Sequence, residues 1–188
     1  MKKQFMKIAL GIFFFSAFIT SCKKNKIEEP NEDEVITTMK LTFVPVGGDN
    51  TLTYQFKDPD GAGGTAPTQD EIVLKPSKTY NVTVQLLNET KTPAENVTTE
   101  VAKEADAHRF YYEPAVGSNI VVSGLDNDGN DVPLGITSTW TTGTVATGKV
   151  VVTLRHYGGT PPGKAVGDLV NSSKSSTDIA VEFKIKVQ

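Results

Sequence analysis

From Val35 onward, apolar and polar side chains take turns along the chain. Met39, Leu41 and Phe43 alternate with Lys40 and Thr42, the stretch GGDN at 47–50 turns the chain, and Leu52, Tyr54 and Phe56 then alternate with Thr51, Thr53 and Gln55. A period of two sends successive side chains to opposite faces of a strand, so two such runs around a glycine-rich turn predict a hairpin. The same alternation predicts strands at 71–74, 79–87, 120–125, 149–157 and 178–187. In the last of these Ile179, Val181, Phe183, Ile185 and Val187 share one face, and Glu182, Lys184 and Lys186 share the other.

One dry and one wet face per strand is the pattern of antiparallel sheets packed on each other. Seven or eight such strands, separated by Gly, Pro and Asp turns, predict an all-β fold, an immunoglobulin-like antiparallel β-sandwich. Pairing order is not contained in the pattern. One segment departs from the period of two: TPAENVTTEVAKEADAHRF at 92–110 is rich in Ala and Glu, with Val97, Val101 and Ala105 at fourfold spacing. That spacing predicts one short helix near 94–106.

The front of the chain follows other rules. Lys2, Lys3 and Lys7 precede an apolar run from Ile8 to Ile19, which is shorter than the roughly 20 apolar residues of a membrane-spanning helix. A basic start, a short apolar middle and small residues at the end describe a secretory signal peptide over residues 1–21. The one cysteine, Cys22, follows Ile19-Thr20-Ser21, and this stretch resembles a bacterial lipobox. The resemblance implies cleavage before Cys22, acylation of that residue and a lipid-anchored protein of the outer membrane. Several acyl chains anchor stably, because each buried methylene contributes about 0.8 kcal/mol. The competing reading is an ordinary cleaved signal that leaves a spare thiol, for which a secreted protein has little use. With Cys22 modified no disulfide can form, so the domain must rest on its core. Residues 22–34, CKKNKIEEPNEDE, are charged and almost without apolar groups, which predicts a flexible tether in front of a domain at 35–188.

Removing residues 1–21 with their three lysines takes the formal net charge from −3 to −6 over 167 residues. That is enough chain for one domain with a proper interior. The negative charge argues against nucleic acid, or an acidic membrane surface, as a partner.

Four motifs suggest chemistry and give way to simpler readings. Gly158, four residues, then Gly163-Lys164 is close to a phosphate-binding loop. However, Pro161 and Pro162 remove backbone donors, Ala165 stands where a magnesium-binding hydroxyl belongs, and no good helix follows, so no nucleotide is expected. DPDGAGG at 58–64 and DNDGND at 126–131 place carboxylates two apart, as calcium loops do, yet neither meets the EF-hand spacing and both read as turns. Asn-x-Ser/Thr sites at Asn81, Asn88, Asn96 and Asn171 reflect threonine-rich composition behind a bacterial lipobox. No GxSxG elbow and no free cysteine marks a nucleophile, so the chain is not read as an enzyme.

The two histidines carry the most information. His156 shares parity with Val150, Val152 and Leu154, which puts it on the apolar side at the end of its strand. His108 follows Glu104 by four residues; in a helix the two are neighbours and can share a metal, whereas extended they lie about 13 Å apart. Glu104, His108 and His156, with Asp178 as a further donor, form a candidate site for a divalent transition metal at one end of the sandwich. The alternative is a histidine hydrogen-bonded at the core edge. In HRFYYEP at 108–114, Phe110 and Tyr112 face one way and Arg109 and Tyr111 the other. Tyr with Arg is favoured at recognition surfaces, which makes Arg109 and Tyr111 candidates for a ligand or partner surface, though tyrosines also cover sandwich rims.

The segments EVITTMKLTFVPVGG, FKDPDGAGG, EADAHRFYY, DNDGNDVPLG, VTLRH and TDIAVEFKIKVQ together resemble a set of small Bacteroidetes outer-membrane lipoproteins, often labelled type 1 periplasmic-binding-fold proteins. The resemblance implies association with a TonB-dependent outer-membrane receptor and an accessory part in nutrient or metal capture. The label implies two doubly wound α/β lobes, for which a period of two over 167 residues leaves neither length nor helices. The expectation is therefore a lipid-anchored binding or accessory module of the outer membrane, on its periplasmic or cell-surface face. Its competitor is a purely structural protein–protein interaction domain of the envelope.

Overall fold

A computed structural model describes residues 35–60 and 64–188. The signal peptide, Cys22 and the whole of the tether expected from the sequence lie outside the described residues. Eleven strands and one helix follow in chain order: β1 Thr38–Pro45, β2 Leu52–Lys57, β3 Thr68–Gln69, β4 Ile72–Leu74, β5 Thr79–Asn88, β6 Glu95–Asn96, α1 Val97–Lys103, β7 His108–Pro114, β8 Ile120–Ser123, β9 Thr137–Thr142, β10 Ala146–Tyr157 and β11 Ser175–Val187. They form two sheets. One runs β3-β2-β1-β5-β9-β8 with β6 added to β5, and the other runs β4-β11-β10-β7.

The period of two explains the layering. Met39, Leu41 and Phe43 of β1, with Tyr80, Val82, Val84 and Leu86 of β5, face Val150, Val152 and Leu154 of β10 and Val181, Phe183, Ile185 and Val187 of β11 in one shared core. Each such side chain, fully buried, contributes about 1.5–3 kcal/mol. Trp140 sits at the middle with its ring 5.2 Å from that of Phe43 and 5.7 Å from that of Tyr112, both edge-on, the geometry aromatic quadrupoles favour. No helix among the described residues is long and apolar enough to cross a membrane.

The all-β sandwich agrees with the alternation, and three details refine it. Eleven strands replace seven or eight, because short pieces such as β3 and β6 carry too few residues to show a period. The sandwich is not wholly antiparallel: β4 pairs in parallel with β11 through Ile72–Ile185, Val73–Lys186 and Leu74–Val187. The helix is shorter than 94–106. It buries Val97 and Val101 and ends at Lys103, with Glu104 already out of helical geometry at ψ 37°. With one helix of seven residues, the described chain does not form doubly wound α/β lobes.

Strand β9 is the element the pattern hides. Its inward positions are Ser138, Trp140 and Thr142, two of them polar and all buried. They are satisfied locally: Trp140 Nε1 donates to Ser138 Oγ at 3.0 Å, and Thr142 Oγ1 donates to the Lys75 carbonyl at 2.7 Å while accepting Lys78 N–H at 2.9 Å.

Candidate metal centre

Helix α1 bridges the two sheets at one end of the sandwich, since β5 passes through β6 into it and it delivers the chain to β7. Past Lys103 the backbone turns: the Glu104 carbonyl accepts Ala107 N–H at 2.9 Å, and Ala107 O accepts Tyr157 N–H at 2.7 Å. This fixes the start of β7 beside the end of β10, so that His108 and His156 are direct cross-strand partners. Parity with Phe110 and Leu154 turns both imidazoles inward. Their ring centroids lie 4.6 Å apart, and His108 is fully buried.

The third member comes from an irregularity. Along the β10–β11 ladder Leu154 pairs with Ile179 and Arg155 with Thr177, which leaves Asp178 as an extra residue in a bulge. Bulges re-aim side chains, and here the Asp178 carboxylate turns to the histidines, with Oδ2 4.0 Å from His108 Nε2. One ligand atom from each of His108, His156 and Asp178 lies within 4.8 Å of the other two. His108 Nδ1 donates to the Glu104 carbonyl at 3.0 Å. This hydrogen bond orients the imidazole, as the second-shell partners of metal-bound histidines do.

Glu104 therefore takes a different part from the one its spacing suggests. Residues 104–108 are not helical, because the helix stops at Lys103, and Glu104 meets His108 through its main-chain carbonyl. The carboxylate in the cluster belongs to Asp178. Its approach depends on a bulge that no periodicity announces, and parity alone would have turned it away from Ile179.

Arg109 and Tyr111 occupy the outer face of the same sheet, where the chain between β10 and β11 folds over them. Arg109 Nη1 donates to the carbonyls of Ala165 at 3.1 Å, Val166 at 3.0 Å and Asp168 at 3.3 Å, and its guanidinium lies 4.5 Å from the Tyr111 ring centroid. The Tyr111 hydroxyl donates to Asp168 O at 3.2 Å and meets the Tyr157 hydroxyl at 2.6 Å. Burial, and then this contact, push its pKa well above the usual phenol value. Rather than an open recognition surface, the pair forms the bed of segment 158–174.

The lysine of the phosphate-loop lookalike is used within the fold. Lys164 Nζ donates to the carbonyls of Ala105 at 2.6 Å, His108 at 2.9 Å and Pro133 at 3.3 Å, and pairs with Asp128 Oδ2 at 2.7 Å. Asp128 Oδ1 accepts the N–H groups of Asn130 at 2.8 Å and Val132 at 3.0 Å, and Asp126 Oδ1 accepts Thr137 N–H at 2.7 Å. Burial raises the Asp128 pKa, but the Lys164 ammonium and the two backbone donors outweigh it and hold the carboxyl below its ordinary value. The acidic stretch at 126–131 is thus a turn locked by a lysine. In the other acidic stretch Asp60 Oδ2 accepts Thr65 N–H at 2.7 Å, again turn chemistry.

Two imidazoles and a carboxylate suit a divalent transition ion. Tetrahedral zinc with bonds of about 2.0–2.1 Å holds its donors roughly 3.4 Å apart, so small side-chain rotations would close the present spacing. Three protein donors leave at least one coordination position open. No protein-family model matches the chain, and neither the curated proteins nor the solved structures contain a match.

Proposed function

We propose that the protein is a lipid-anchored envelope module that captures a divalent transition metal through His108, His156 and Asp178. The convergence of these three side chains from three strands at one end of the sandwich, within 4.8 Å of each other, carries the reading. Nitrogen donors with a single carboxylate favour zinc, copper or nickel over calcium and magnesium, which prefer all-oxygen shells. A closed structural zinc site takes four protein ligands; three, with His156 partly exposed beside the buried His108 and a largely buried Asp178 carboxylate, leave a coordination position for exchange. The charge of −6 left once residues 1–21 are removed favours the approach of cations. Acylation at Cys22 would hold the domain at the outer membrane, where an accessory role beside a TonB-dependent receptor follows from the resemblance described above.

Residues 32–188 form a compact unit and can be titrated as such. Calorimetry with Zn²⁺ should give one site. His108→Ala, His156→Ala and Asp178→Asn should each weaken it by more than the 10–100-fold that loss of a mere second-shell partner costs, roughly 100-fold or beyond. Absence of binding in the unsubstituted protein would remove the capture reading and leave the interaction domain.

A further inference from the structure

Two of the three triad members have a sequence neighbour that grips segment 158–174, and the neighbour of the third is held by one of those two. Arg109 follows His108 and holds the carbonyls of Ala165, Val166 and Asp168. Arg155 precedes His156; its Nε donates to Ser175 Oγ at 3.1 Å, its Nη2 to Ser172 O at 3.0 Å and to Ser175 O, and its Nη1 to Thr177 Oγ1. Thr177 in turn precedes Asp178. On a strand adjacent side chains point to opposite faces, so the ligands face the core while their neighbours face the segment across the sheet. Thr153 and Tyr157 are buried at 4% and 1% exposure although both belong to the outward parity of β10, so the outer face is covered here.

Two features tie the segment to the triad more directly. His156 and Asp178 stand at its two roots, so an ion held by both would close the intervening chain into a loop. Lys164, from the middle of the segment, reaches round the β7 edge to the carbonyl of His108 itself and to that of Ala105, one residue beyond Glu104, whose carbonyl takes the His108 Nδ1 proton. The His108 backbone and ring orientation therefore depend on the segment being docked.

Resting on the metal reading above, we infer that segment 158–174 is a strap whose docking positions the triad, so that metal binding and strap closure are thermodynamically linked. Arg109, Arg155 and Lys164 are its positioning residues; none offers an atom to the ion. Linkage is reciprocal: whatever factor the docked strap adds to metal affinity, the metal adds to strap closure.

The test uses Zn²⁺ as probe and two readouts, affinity by calorimetry and amide hydrogen exchange with and without the ion. Arg109→Gln and Arg155→Gln should lower Zn²⁺ affinity about 10-fold or more, the scale of second-shell losses in metal sites. The double substitution Lys164→Met with Asp128→Leu, which leaves no buried charge unpaired, should do the same. In the unsubstituted protein Zn²⁺ should slow exchange at 164–175 by a similar factor, while β2 and β9, remote from the triad, remain unchanged. Zn²⁺ binding with strap exchange unaltered and with affinity kept in the variants overturns the linkage but not the metal site. No Zn²⁺ binding at all overturns both.

Discussion

Lys164 is 2% and Asp128 1% exposed at the side chain, 2.7 Å apart. Each charge has lost its water, and each has the other plus backbone groups in exchange. Breaking such a pair from one side leaves a bare buried charge, so Lys164→Met should cost about 3–5 kcal/mol. Adding Asp128→Leu should recover much of that loss, because a well-packed apolar replacement of both charges is close to neutral. Urea unfolding followed by the fluorescence of Trp140, the one tryptophan in the chain and fully buried, measures both. A double variant no more stable than the single one would show that the three carbonyls, rather than the carboxylate, are what the ammonium serves. At this scale the sequence is partly legible. Inward parity puts both histidines on the dry face, and Pro161, Pro162 and Ala165 are enough to reject a nucleotide loop. Its partners across the fold are not legible, because Asp128 and Ala105 are brought to Lys164 only when strands far apart in sequence meet.

At the scale of elements, the bulge in β11 decides the chemistry. Without the extra residue, Thr177 and Ile179 would be consecutive and would still meet Arg155 and Leu154, so the ladder does not require Asp178. Deleting Asp178 should leave the sandwich intact, with its melting temperature within a few degrees of the parent, equivalent to about 1 kcal/mol, and should abolish Zn²⁺ binding. Collapse of the fold on deletion would mean that the bulge serves the sheet rather than the site. Alternation reveals the long strands because each has a dry face of Val, Ile, Leu or Phe. It misses β9, whose dry face is Ser138, Trp140 and Thr142, and it overextends α1, where Ala105 continues the fourfold spacing after Glu104 has left helical geometry. The same overextension makes Glu104 look like a ligand, when its carbonyl is what orients His108.

For the whole molecule, a single core between two sheets carries His108, His156 and Asp178, the proposed metal triad, on its inner face at one end, and segment 158–174 on the outer face of the same strands. Fold class is legible because burial on one face is a property of each strand alone. Pairing order, the parallel β4–β11 contact and the course of the strap are not, since each depends on which distant segments share an edge. The chain contains only two histidines, which makes the central claim open to direct observation by imidazole ¹⁵N NMR of untagged residues 32–188. Titration with Zn²⁺ should shift the ring nitrogens of His108 and His156 together, saturating at one equivalent, with Nδ1 of His108 still protonated. Resonances of both rings that stay in place at excess Zn²⁺, or that move for one ring only, would contradict a shared metal centre.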